Sequence, residues 1–440
     1  MIKHFPVYWL TCVLAMAAAA ASATTIIMPT DEQLVAKSPL IVQGTVLSTQ
    51  AISRDGRIWT ETRLSVEQTL KGSAAATITI REIGGEVDGR ITRIYGAPSF
   101  ETGQRVMAFL APTPRGDYQT MDLFIGKFAE ARMMNGERLW MRDDIVDEVH
   151  LLDASFHPIA AHNVQRDADA FEAFIRDRVA GRKATSSYGV ENPVLQDSLA
   201  KPGEGKIKAN FTLISEPTVY RWFVMDSGGN ARWFSYGTQT GYAGGGANEV
   251  QTAMNAWNGY TSAKISYTYG GAGSGTPGGV NGSSNGVNEI LFNDQHNDIA
   301  GSFSGSGVVG LGGFNGVSGA QSWTSPFTAD ASHPQRTYTA YNIVEGNLAI
   351  QDGVSPSTGV SSSRLAEILA HELGHTLGFG HSSDGSALMY GSVTGLGASL
   401  RSDDQLAARW LYPNGSAATP PPPPPPPPTA PAAPSNVRAS

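Results

Sequence analysis

The feature that most constrains this chain is the run His371-Glu372-Leu373-Gly374-His375-Thr376-Leu377-Gly378-Phe379-Gly380-His381. Ser361 to Ser363 offer an N-cap, and Leu365, Ile368, Leu369 and Leu373 recur at helical spacing, which predicts a helix over 364–377. Residues four apart on a helix lie one above the other, so His371 and His375 point the same way and can reach one metal ion. Gly378 can take the left-handed conformation that stops the helix and reverses the chain, returning His381 as a third ligand. Three protein ligands leave a fourth position open, which is the arrangement of a catalytic zinc and not of a structural one. Glu372 is out of place on an ordinary core helix. Beside the first ligand, its chemistry is that of a general base acting on the zinc-bound water.

These residues resemble the metzincin zinc motif, and those that follow resemble its matrixin branch. Ser382 follows the third histidine, and Ser386-Ala387-Leu388-Met389-Tyr390 is similar to a Met-turn in composition and distance. The resemblance implies a zinc endopeptidase acting on protein or peptide substrates. Zinc would sit on His371, His375 and His381, with Glu372 as base and Met389 as a non-ligating apolar floor. It implies an α+β catalytic domain, a twisted mixed sheet carrying the zinc helix. Ser402-Asp403-Asp404-Gln405 has the capping-box form, and with Leu406, Trp410 and Leu411 it resembles the last helix of matrixin domains, ended by Pro413. The clear match covers 365–412. A weaker one reaches back to a helix expected at Asn248–Tyr260, where Val250, Ala253, Met254 and Trp257 form one stripe. In such domains an edge strand binds extended substrate by main-chain pairing, and Val308 to Phe314 is the candidate by position.

The chain departs from that family in three ways. Its single cysteine, Cys12, lies in the expected leader, so latency through a cysteine on the zinc is impossible. Asp294, His296 and Asp298 stand near one another but His333 is isolated, so these read as loop residues or a calcium site and not as a second, structural zinc. Tyr390 directly follows Met389, and no catalytic role is assigned to it.

The rest of the chain sets compartment and organisation. Lys3 and His4, the apolar stretch Val7 to Ala21 and the triplet Ala21-Ser22-Ala23 have the layout of a secretory signal over residues 1–23. That stretch is shorter than the roughly 20 residues a spanning helix needs, so the protein is expected to be secreted, extracellular or at the cell surface, without a membrane span. A formal net charge of -8 offers no basic footprint for nucleic acid.

Residues 24–205 read as a small all-β unit, with short runs such as Leu40–Val42, Thr62–Val66, Ala76–Ile80, Arg105–Leu110 and Met121–Phe128 between turn signals at Asp55-Gly56, Lys71-Gly72 and Gly84-Gly85. A helix at Asp167–Val179 closes it. The polar stretch to Gly205, with Arg182-Lys183 at its start and Pro193 and Pro202 within it, reads as a linker and processing site, so that the unit is a possible propeptide. His150, His157 and His162 lack metal spacing and read as surface residues. The catalytic domain spans 206–414. A proline spacer follows at 415–432, and 433–440 resembles the opening of a truncated fibronectin type III module. These last features leave a second reading open, an adhesive extracellular protein with an inactive metzincin-like domain, attached to a surface or polymer through its C-terminal module.

Overall fold

The computed structural model describes residues 25–133, 136–142, 151–152, 158–159, 165–190, 210–280, 284–391 and 393–415. The expected leader, the three histidines at 150, 157 and 162, most of the linker, the proline run and the fibronectin-like segment lie outside them. Five α-helices are present among the described residues: α1 (Asp31–Lys37), α2 (Ala168–Val179), α3 (Ala247–Asn258), α4 (Ser362–Thr376) and α5 (Ser402–Leu411). They pack against a nine-stranded and an eleven-stranded sheet.

The nine-stranded sheet is built on the hairpin of Leu40–Arg54 and Arg57–Lys71. Asp55 and Gly56 both have positive φ (53° and 76°), the conformation that a two-residue hairpin turn demands and that Asp-Gly supplies. The expectation of short strands fails here: each arm runs 15 residues. Bulges at Ile41/Val42, Gln43/Gly44 and Val46/Ser48 absorb the twist, so pairing continues where a regular ladder would break. The expected strand Met121–Phe128 is also corrected. Asp122 and Leu123 take positive φ, and a 3-10 turn at Leu123–Gly126 precedes the strand Lys127–Arg132. The expected closing helix is α2, capped by the Asp167 side chain accepting from the Ala170 amide at 2.8 Å.

The eleven-stranded sheet carries parallel strands Tyr267–Ala272, Ala231–Tyr236, Asn288–Leu291 and Thr337–Ile350, in that order, and then the antiparallel strand Gly307–Thr324. The N-terminal part of the chain also joins this sheet. Thr25–Ile27 pairs with Gly307 to Gly310, and Arg90–Ile94 pairs antiparallel with Gly313 to Val317. The cores merge in the same way: Phe109, Phe128 and Phe171 from the first sheet's side share one apolar cluster with Leu291, Val308, Leu311 and Ala349 of the second. A buried Phe or Leu contributes about 1.5–3 kcal/mol relative to an exposed one, so this seam is a large part of what holds the two sheets together.

Helices α3 and α4 lie together on the second sheet. Trp257 Nε1 donates to the Ala370 carbonyl, Tyr267 Oη to that of Leu373 and Trp222 Nε1 to that of Thr376, each at 2.8 Å. Three aromatic side chains from separate elements thereby fix the C-terminal half of α4, the part that carries His371, Glu372 and His375. The approach of α4 to Gly307–Thr324 depends on glycine: a Cβ on Gly312 would stand 2.6 Å from the Glu372 carbonyl oxygen.

Candidate metal centre

Helix α4 starts where the serines predict, with Ser361 as N-cap. It carries His371, Glu372 and His375 through its last turns, all buried. Gly378 has φ +97°, and any Cβ there would meet the Tyr220 carbonyl oxygen at 2.2 Å, so this position demands glycine for both conformation and space. The reversed chain is then held as a short antiparallel ladder. The Ile214 amide donates to Gly378, the Gly380 amide to Thr212 and the Thr212 amide to His381. That ladder brings His381 over α4.

The three imidazoles meet. His371 Nε2 lies 2.9 Å from His375 Nε2 and 3.1 Å from His381 Nε2. His371 Nδ1 is 2.7 Å from the Leu388 carbonyl and His375 Nδ1 is 2.9 Å from that of Phe379. A carbonyl can only accept, so both Nδ1 atoms carry the proton and both Nε2 atoms present lone pairs to the same point. Two facing lone pairs cannot hydrogen-bond each other; a cation between them resolves the contact. Burial favours that state further. It lowers the pKa of His371 to about 4 and that of His375 well below the usual value, so both rings are neutral near pH 7. The residues present therefore fit a metal that takes imidazole nitrogen, zinc among them.

Met389 packs against Gly374 of α4, the residue before His375. The turn that carries it is tied to the last helix. Asp404 accepts from the amides of Leu388 at 2.7 Å, Met389 at 2.9 Å and Arg401 at 2.8 Å. Asp403 accepts from Ser382 Oγ at 2.7 Å and from the Asn210 amide. The capping arrangement is one residue earlier than expected: α5 begins at Ser402 and its N-cap is Arg401, because Asp404 reaches back to the Arg401 amide while its other contacts hold the turn at Leu388 and Met389. The Ser402 to Gln405 pairing does not form the cap.

Tyr95 is the residue that sequence reasoning missed. Its ring stacks on His375 at 4.7 Å between centroids and 15° between planes, and its hydroxyl accepts from the His381 amide at 3.2 Å. It comes from the end of Arg90–Ile94, far away in sequence, and no spacing or periodicity announces it. His333 also differs from its expected isolation. It is buried with Nε2 at 2.9 Å from Glu216 and Nδ1 at 3.0 Å from Asp330. His296 bonds to the Pro277 carbonyl and to Arg57, and Asp294 accepts the amides of Asp298 and Ile299. Among the described residues, the group of His, Cys, Asp or Glu that could share a metal is His371, His375 and His381.

Residues 282–413 match the family model described as matrixin, a span that contains the three histidines, Glu372, Met389 and the strand Gly307–Thr324 but neither α3 nor Tyr95. No curated protein matches the chain.

Proposed function

With a matrixin-like domain of the metzincin type over residues 282–413 as premise, we propose that the protein is an exported zinc-dependent endopeptidase in which His371, His375 and His381 hold the metal and Glu372 is the general base. One observation carries the reading: three buried imidazole nitrogens converge, with the tautomers of two of them fixed by backbone carbonyls. When bound, zinc supplies Lewis acidity, polarising a peptide carbonyl and making water acidic enough to lose a proton near neutral pH. Glu372 follows His371 on α4 and faces the strand that would carry substrate, with Gly310 and Gly312 leaving room for its side chain. From there it takes the proton of the attacking water and delivers it to the amine that leaves. Gly307–Thr324 supplies main-chain groups to an extended peptide. Met389 sets the depth of the histidines without touching the reacting atoms. Export rests on the pattern at residues 1–23, and among the described residues no helix is long and apolar enough to cross a membrane.

The test is metal analysis of the purified full-length protein, paired with cleavage of casein with and without a chelator. One zinc per chain with chelator-sensitive cleavage is expected; a protein that purifies without zinc and fails to bind it on addition would refute the assignment.

A further inference from the structure

The peptidase reading needs an extended substrate on the free edge of Gly307–Thr324. In the folded chain that edge is taken. Arg90–Ile94 pairs with it in register, Ile94 opposite Gly313 and Arg90 opposite Val317, and the Gly89 carbonyl extends the pairing by accepting from the Ser318 amide. The docking is built in detail. Thr92 Oγ1 donates to Asn315 Oδ1 at 2.7 Å in a buried pair. Gly313 leaves space for the incoming strand, since a Cβ there would stand 2.4 Å from the Arg93 carbonyl oxygen. The strand then delivers Tyr95 onto the histidines, where its ring covers His375 and its hydroxyl takes the His381 amide. After Tyr95 the chain turns at Gly96 (φ +85°), whose carbonyl accepts from the Phe124 amide, and it returns to the first sheet. It enters as an extended strand and turns away directly after Tyr95.

We propose that Arg90–Ile94 and Tyr95 form an intramolecular plug that keeps the site closed to substrate, with Tyr95 as the group over the metal ligands. The inference rests on the peptidase reading and gives its regulation. The plug belongs to a unit whose core is merged with the catalytic sheet, so release requires separating that seam and not only moving a loop. A chain with no cysteine beyond Cys12 achieves closure here by strand pairing and aromatic cover.

A reversible clamp tests it on the full-length, zinc-loaded protein. Thr92 and Asn315 are direct cross-strand partners, and such pairs have Cα atoms about 4.5–5.5 Å apart, within disulfide reach. The double variant Thr92→Cys with Asn315→Cys is compared oxidised and reduced with a phosphine, and Tyr95→Ala is compared with the parent. The readouts are cleavage of a quenched fluorescent peptide, binding of a fluorescent peptide hydroxamate, and zinc content. The oxidised form should cleave and bind at least about tenfold less well than the reduced form, since apparent affinity scales with the open fraction. Tyr95→Ala should exceed the parent at equal zinc. Substantial binding and cleavage that are equal in the oxidised and reduced forms, with Tyr95→Ala no better than the parent, would overturn the plug and leave the peptidase reading standing. A reduced form that binds the hydroxamate but cleaves no peptide would overturn the peptidase reading instead.

Discussion

Met389 Sδ occupies the place where Gly374 would carry a side chain: a Cβ there would lie 2.1 Å from the sulfur and 2.8 Å from the Trp257 ring. A glycine inside a helix costs roughly 1 kcal/mol relative to alanine, so its presence between Leu373 and His375 needs a reason, and the sulfur supplies one. Gly374→Ala should regain that propensity and lose more through overpacking, for a net loss of about 1–2 kcal/mol. Thermal unfolding in chelator, which removes any contribution from metal, measures it. A variant as stable as the parent would mean that Met389 moves aside freely.

Asp404 acts on the histidines at one remove. It holds the Leu388 amide, and the Leu388 carbonyl holds His371 Nδ1. Asp404→Ala should therefore weaken zinc binding by about tenfold or more, in line with other losses of groups that orient metal ligands. Competition titration against a chromophoric chelator reads this directly. Affinity equal to the parent's would show that the turn keeps its place without the carboxylate.

Glu372→Ala should keep zinc at one per chain and lower kcat by about 10²–10⁴, the usual contribution of a positioned acid–base group. His375→Ala should lose zinc and activity together. Metal analysis beside steady-state kinetics separates the two; undiminished turnover in the Glu372 variant would assign the proton transfer to another group.

His333 gives a pH dependence of stability. Burial opposes its charged form, but the hydrogen bond and charge of Glu216 and the charge of Asp330 outweigh burial and raise its pKa above 6.5. A raised folded-state pKa means that the native protein holds this proton more tightly than the unfolded chain. The stability so gained is complete below the unfolded value, near 6.5, and is lost as pH rises through the folded one. The gap in melting temperature between the parent and His333→Gln should thus narrow from about pH 5.5 to about pH 8.5. A gap independent of pH would show that His333 contributes through packing against Phe211 and Trp410 instead.

The legible parts of this molecule were those written locally. His371 and His375 are placed by one helical period, Gly378 by a conformation few residues adopt, and the N-cap at Ser361 by its own side chain, so α4 and its turn could be read from a short window. α2 and α3 likewise follow from their apolar stripes. What stayed hidden was register over long separations. Nothing in Arg90-Ile91-Thr92-Arg93-Ile94 says that it will pair with Gly313 to Val317, because any β-prone run fits any open edge and the choice depends on the whole core. Tyr95 was invisible for the same reason. His333 looked isolated since its partners Glu216 and Asp330 come from a distant loop and from a turn whose shape no spacing encodes.

The pairing of Thr25–Ile27 with Gly307 to Gly310 also bears on the order of events during synthesis. Ile27 also pairs with Leu152, but the antiparallel ladder of the first strand cannot close until Gly307 to Gly310 have been made. Contacts this distant in sequence slow folding and leave early segments open until late. The first strand's place in the eleven-stranded sheet is therefore completed only after the nine-stranded sheet, whose strands all lie within residues 40–190, has had every partner it needs.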